Sequence, residues 1–214
     1  MYAGATAGAT ALVLAGCSKD DNNSPGMVNV GSGDVGVLNY AYALEQLEAD
    51  FYTQVRSGSF YTGSSITAAE KSILDDLYYH EVIHRDFFKA AITAAGATPI
   101  KALTTVYPTG TFSSRASVFG TAKAFEDLGV AAYNGAAQYI TTAQYLFIAG
   151  KIVSVEARHA AIIRDLVSEG SFVGSDIVDI SGNSLEMSKA PSVVVATANT
   201  FLADGSKLDV SGLG

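Results

Sequence analysis

The sequence predicts an all-α fold: a four-helix bundle of two antiparallel hairpins joined by one long crossover, followed by an irregular C-terminal extension. Three observations carry the prediction. Four turn-free stretches of about 25 residues place apolar side chains at the alternating three- and four-residue spacing of a buried helix face. The segments between them run short, long, short. Glu-x-x-His occurs twice, as Glu81-Val82-Ile83-His84 in the second stretch and Glu156-Ala157-Arg158-His159 in the fourth.

Each element has its own signals. Gly31-Ser32-Gly33-Asp34 leads into a first helix over 35–57, stopped at Ser57-Gly58. Thr67-Ala68-Ala69-Glu70 has the capping-box pattern and opens a second helix over 68–95, closed by Gly96. A Thr/Pro/Gly-rich loop runs from Ala97 to Ser114. The third helix covers 115–140, and Thr141-Thr142 turns the chain into a fourth that ends at Ser168, before Glu169-Gly170. The remaining residues, 171–214, are rich in Gly, Ser and Asp, with a short helix expected from Pro191 towards Leu202. A loop of about eight residues reaches at most ~28 Å, less than the ~38 Å of a 25-residue helix, so the first two helices are antiparallel neighbours. The segment of about 17 residues reaches ~60 Å and can return along the bundle.

With 214 residues, 49% of them hydrophobic, the chain can bury one domain plus appendages. A net charge of −8 excludes a nucleic-acid binder, which needs a basic footprint. A single cysteine excludes an internal disulfide framework and a cysteine-based zinc site. That cysteine ends Leu14-Ala15-Gly16-Cys17, after a small, apolar run from Ala3 to Gly16 that suits a signal-peptide core. Leu-Ala-Gly-Cys resembles the lipobox of bacterial lipoproteins, which implies lipidation at Cys17. The expected organisation is a signal segment over 1–17, a flexible tether over 18–34, the bundle over 35–170 and the extension over 171–214. No Lys or Arg precedes Cys17, so a basic segment is expected upstream of Met1. The expected location is the cell envelope, lipid-anchored after export.

The helical registers converge. Leu74, Leu77, Glu81, His84, Phe88 and Ala91 lie on one seam, as do Ala149, Ile152, Glu156, His159, Ile163 and Leu166. The first helix gives Leu38, Ala41, Glu45, Glu48, Tyr52 and Val55; the third gives Phe119, Ala122, Glu126, Gly129, Tyr133 and Ala136. Glu45, Glu81, Glu126 and Glu156 thus point inward, each about 18–21 Å from the turn of its hairpin and so at one level. With eight glutamates in the chain, a Glu three before a given His occurs by chance about 4% of the time, and two hits among three histidines is a rare coincidence. One Glu from each of two helices plus Glu-x-x-His from each of the other two is the donor set of a dinuclear metal site. Oxygen donors with imidazole suit Fe(II) or Mn(II), and four unpaired buried carboxylates without a cation would be costly.

On Leu44-Glu45-Gln46-Leu47-Glu48-Ala49-Asp50-Phe51-Tyr52, His80-Glu81-Val82-Ile83-His84, Phe125-Glu126-Asp127 and Val155-Glu156-Ala157-Arg158-His159, residues 35–170 resemble the ferritin-like superfamily. The closer likeness is to secreted bacterial ferritin-like domain proteins of the desiccation-related type. The resemblance implies two Fe ions, or alternatively two Mn ions, on Glu45, Glu81, His84, Glu126, Glu156 and His159, with Tyr52 beside them. It implies Fe(II) oxidation or reduction of O2 or H2O2; the alternatives are a dimanganese catalase-like activity or a metal-stabilised scaffold without turnover. A homodimer is compatible with this reading, whereas a 24-subunit cage is not expected. His80, one residue off the seam, is expected to be a solvated or interhelix histidine, and Glu48 to serve at the rim or as an extra ligand.

Overall fold

The computed structural model describes residues 26–213. The signal segment with Cys17, and the first part of the tether, lie outside them. The elements are β1 (Val28–Asn29), α1 (Gly33–Ser57), a single turn α2 (Ser59–Thr62), α3 (Ala68–Ala94), α4 (Arg115–Ala136), α5 (Ala143–Val167), α6 (Pro191–Ala198) and β2 (Leu208–Asp209). Among the described residues no helix is long and apolar enough to cross a membrane. α1 packs along α3 and α4 along α5, and the pairs meet through α1 and α4. This is the expected four-helix bundle of two hairpins.

Local chemistry sets the helix ends. Thr67 accepts from the Glu70 amide and Glu70 accepts from the Thr67 amide, closing the capping box that starts α3. Gly96, at φ 76°, ends α3 in the left-handed conformation, so the Ala97 and Gly96 amides bond back to the Ile92 and Thr93 carbonyls. Arg115 reaches both Glu70 and the Leu166 carbonyl, tying the starts of α3 and α4 to the end of α5.

The crossover runs lengthwise along α1. The Ile100 amide donates to Asn39, the Leu103 amide to Gln46, and the Thr105 hydroxyl to Asp50. From Asn39 to Asp50 a helix rises about 16 Å, and an extended strand covers that distance in about five residues, the interval from Ile100 to Thr105. α1 is thereby covered on every side, which is why every residue of Gly36–Ala49 is buried.

Two boundaries differ from the sequence reading by more than two residues. The third helix stops at Ala136 and tightens into a 3-10 turn, Ala137–Tyr139, ahead of the expected end at 140. The tether ends earlier than 34. Val28 and Val30 are buried, and β1 pairs in parallel with β2, Val28 opposite Leu208. Val28-Asn29-Val30 alternates buried and half-buried side chains, as a short strand does. The extension is irregular between α5 and α6 but anchored. Arg164, itself buried, holds Asp127 at 2.7 Å and Asp176 at 2.5 Å. Val194, Val195 and Ala198 of α6 join the core beside α4.

Candidate metal centre

The four seams meet as their registers require. Glu45, Glu81, Glu126 and Glu156 are each fully buried, and His159 nearly so. They form two overlapping groups able to hold a metal ion: Glu45, Glu81, His84 and Glu156, and Glu81, Glu126, Glu156 and His159. In each group one donor atom per residue lies within 4.8 Å of every other.

The geometry has a pseudo-twofold form. His84 Nδ1 is 2.8 Å from Glu156 Oε1, 3.5 Å from Glu45 Oε2 and 3.6 Å from Glu81 Oε2. His159 Nδ1 is 2.8 Å from Glu81 Oε1, 3.4 Å from Glu156 Oε2 and 3.5 Å from Glu126 Oε2. Glu81 and Glu156 therefore each turn one oxygen to either histidine and belong to both groups. Glu45 and Glu126 serve one group apiece. These close approaches lack hydrogen-bond alignment: both Nδ1 atoms, both oxygens of Glu81 and of Glu156, and one each of Glu45 and Glu126 have no hydrogen-bond partner. Eight orphaned donor atoms around common points cost several kcal/mol of desolvation in total unless a cation engages them. The donor set fits bound metal.

Two tyrosines orient Glu45 and Glu126, and they do so across the hairpins. Tyr52 of α1 donates to Glu126 Oε1 of α4, and Tyr133 of α4 donates to Glu45 Oε1 of α1. Each bond occupies the outer oxygen and leaves Oε2 facing its histidine. Burial, then the neighbouring glutamate charge, pushes both phenols well above their ordinary range, so they remain donors. Tyr52 is the tyrosine expected beside the site; Tyr133 stands seven residues after Glu126 as Tyr52 does after Glu45, a Glu-x6-Tyr repeat. His80 is an interhelix histidine, as expected, and its partner is a donor residue. Though exposed, it places Nδ1 2.8 Å from His159 Nε2 with the rings stacked, and so fixes the outer nitrogen of that imidazole. Val155, at the equivalent place in the second hairpin, has nothing polar to offer His84. Glu48 is buried on the α1 seam but belongs to neither group; its Oε1 lies where a side chain on Gly129 would intrude.

Without a cation the carboxylates recruit protons. Burial disfavours a charged His84, yet Glu156, Glu45 and Glu81 outweigh it and push the imidazole up to about 12; His159 is raised in the same way, chiefly by Glu126. Burial pushes Glu126 up to about 7 against the pull of His159. A histidine raised from about 6.5 stabilises the fold fully below that pH and loses the contribution as pH climbs through its folded value. A raised carboxyl acts likewise, from about 4.5 upward. Glu81, held down at about 2 by the two histidines despite burial, works in the opposite sense only below about pH 4.5. The metal-free protein should thus melt at a lower temperature at about pH 8.5 than at about pH 6, while the metal-loaded form, whose binding expels these protons, should not. A melting temperature of the metal-free protein that rises across this window would contradict the assignment.

No curated protein matches the chain. The ferritin-like domain family matches residues 33–169, from the first residue of α1 to just beyond α5. That span covers the whole bundle with its donor residues, and the chain belongs to the ferritin-like domain family.

Proposed function

We propose that the protein binds two iron ions and carries out Fe(II) oxidation coupled to reduction of O2 or H2O2, outside the cytoplasm and lipid-anchored. The observation that carries this is the split of Glu81 and Glu156, one oxygen to each histidine. Glu81 and Glu156, so disposed, would serve both metal groups, and the bound ions would supply electrons to one small molecule. The chemistry supplied by two bound Fe(II) ions is one electron each, so that with two protons O2 becomes H2O2, or H2O2 becomes two water molecules.

The chain's own residues set the conditions. Glu45 and His84 hold one side, Glu126 and His159 the other, and four carboxylates balance four positive charges in a buried space. Tyr52 and Tyr133 keep the non-bridging carboxylates from rotating. Tyr52, a buried phenol bonded to Glu126, is placed to give up an electron beside the centre. His80 braces His159 from the solvent side.

Oxygen and peroxide consumption by metal-loaded protein, followed with Fe(II) as electron donor, tests the reading. Rapid consumption with iron supports it. Rapid disproportionation of H2O2 by the manganese-loaded form alone would favour a catalase-like activity on the same donors. Fully metallated but inert protein would favour a scaffold. The anchor has its own test. Expressed with its upstream start, Cys17→Ala should move the protein from the membrane to the soluble fraction, and an unmodified Cys17 still joined to Gly16 in native membranes would refute lipidation.

A further inference from the structure

One end of the bundle holds a cavity of about 50 Å³ whose wall is almost wholly apolar. It lies among α1, α3, α4 and α5, with Leu38, Ala41, Leu44, Phe88, Tyr133 and Ala149 as principal lining residues. It adjoins the metal centre. Ala41 is one helical turn before Glu45, Phe88 one turn after His84, and Tyr133 forms the shared wall, since its ring faces the cavity while its hydroxyl donates to Glu45. The outer rim reaches Phe87, which is part-exposed, and Asp34.

Of the polar groups in the lining, the Tyr40 hydroxyl is buried without a hydrogen-bond partner, and those at the two ends of the space are already engaged. Asp34 accepts from the amides of Thr141 and Thr142, and the Tyr133 hydroxyl is spent on Glu45. A molecule entering must shed its water and gains few hydrogen bonds in return. H2O2, with two O–H donors and four lone pairs, pays several kcal/mol for that transfer. Dioxygen has no hydrogen bonds to lose. The volume admits a few molecules the size of water or dioxygen, and cavities of this character stay dry and take up apolar gases.

We propose that this cavity is the docking and entry site for dioxygen on its way to the metal centre, and hence that O2 rather than H2O2 is the oxidant the site selects. The inference rests on the redox reading above. It assigns Ala41 and Ala149 the role of keeping the space open: larger side chains there fill it.

The test pairs a binding measurement with kinetics. Full-length, metal-loaded protein is exposed to xenon, and its uptake is located by diffraction under pressure or by xenon NMR. Xenon should occupy the cavity in the wild type and be lost in Ala41→Leu and in Ala149→Phe. In both variants the KM for O2 should rise by roughly an order of magnitude while the rate at saturating H2O2 changes little, and Ala90→Leu, exposed on α3, should alter neither. Absence of xenon from the wild-type cavity, or an unchanged KM for O2 in a filled variant, would overturn the proposal while leaving the redox activity standing. Wild type with two metals bound and inert towards both O2 and H2O2 would overturn the dioxygen assignment together with the redox reading. The xenon site distinguishes the two failures, since it requires no turnover.

Discussion

His84→Ala and His159→Ala should each abolish turnover with Fe(II) and O2 or H2O2, by at least about 100-fold, beyond the ~10–100-fold cost of disturbing an outer-shell partner. Each imidazole completes one of two groups that share Glu81 and Glu156. If both ions must act on one small molecule, the centre works as a unit and half of it does nothing useful. The losses should then be non-additive, with the double variant scarcely worse than either single one. His80→Ala belongs between these and the wild type. It frees the outer nitrogen of His159 and should weaken metal binding on that side by about tenfold. His80→Gln, which retains an amide in place of the imidazole nitrogen, should recover part of the loss. An active His159→Ala would show that the two groups do not function together.

Removing the metal should cost a large part of the stability. An ion bound only to the native state stabilises it by about 2.7 kcal/mol at a concentration of 100 Kd, so two such sites contribute about 5 kcal/mol. For a domain of this size that corresponds to a fall of roughly 10–20 °C in melting temperature on chelation. The loss has a visible cause: Glu45, Glu81, Glu126 and Glu156 stay buried with their inward oxygens unpartnered. In a Glu81→Ala/Glu156→Ala variant the shared pair and with it most of the repulsion among the four carboxylates are gone, and chelation should shift the melting temperature much less. Calorimetry of the four samples checks both halves of this expectation. Equal shifts in wild type and double variant would place the metal somewhere else.

What could be read in advance follows from the range of the interactions. The helices, the Thr67–Glu70 capping box and the Gly96 stop depend on neighbours within one or two turns, so spacing alone reveals them. The convergence of Glu45, Glu81, Glu126 and Glu156 also follows from register, because a seam position fixes both face and height. The pairing of β1 with β2 joins residues 180 apart through two-residue strands, too short for any period to announce. The polar row of Asn39, Gln46 and Asp50 reads as a misplaced hydrophilic stripe until the crossover amides that it satisfies are in place. The tyrosine bonds cross between hairpins, so the Glu-x6-Tyr repeat marks Tyr52 and Tyr133 without showing that each serves the other repeat's glutamate. His80 sits off the seam, and only the close approach of α5 turns an exposed histidine into a partner of His159.

Metal stoichiometry tests the central claim most directly. The purified chain, stripped by chelation, is reconstituted anaerobically with Fe(II), freed of loosely held ions and analysed for iron and protein. Two ions per chain in the wild type, falling to nearly none in Glu81→Ala/Glu156→Ala, is the result that a shared pair of bridging carboxylates predicts. No retained iron in the wild type, or two ions per chain retained after both bridging carboxylates are removed, would contradict it.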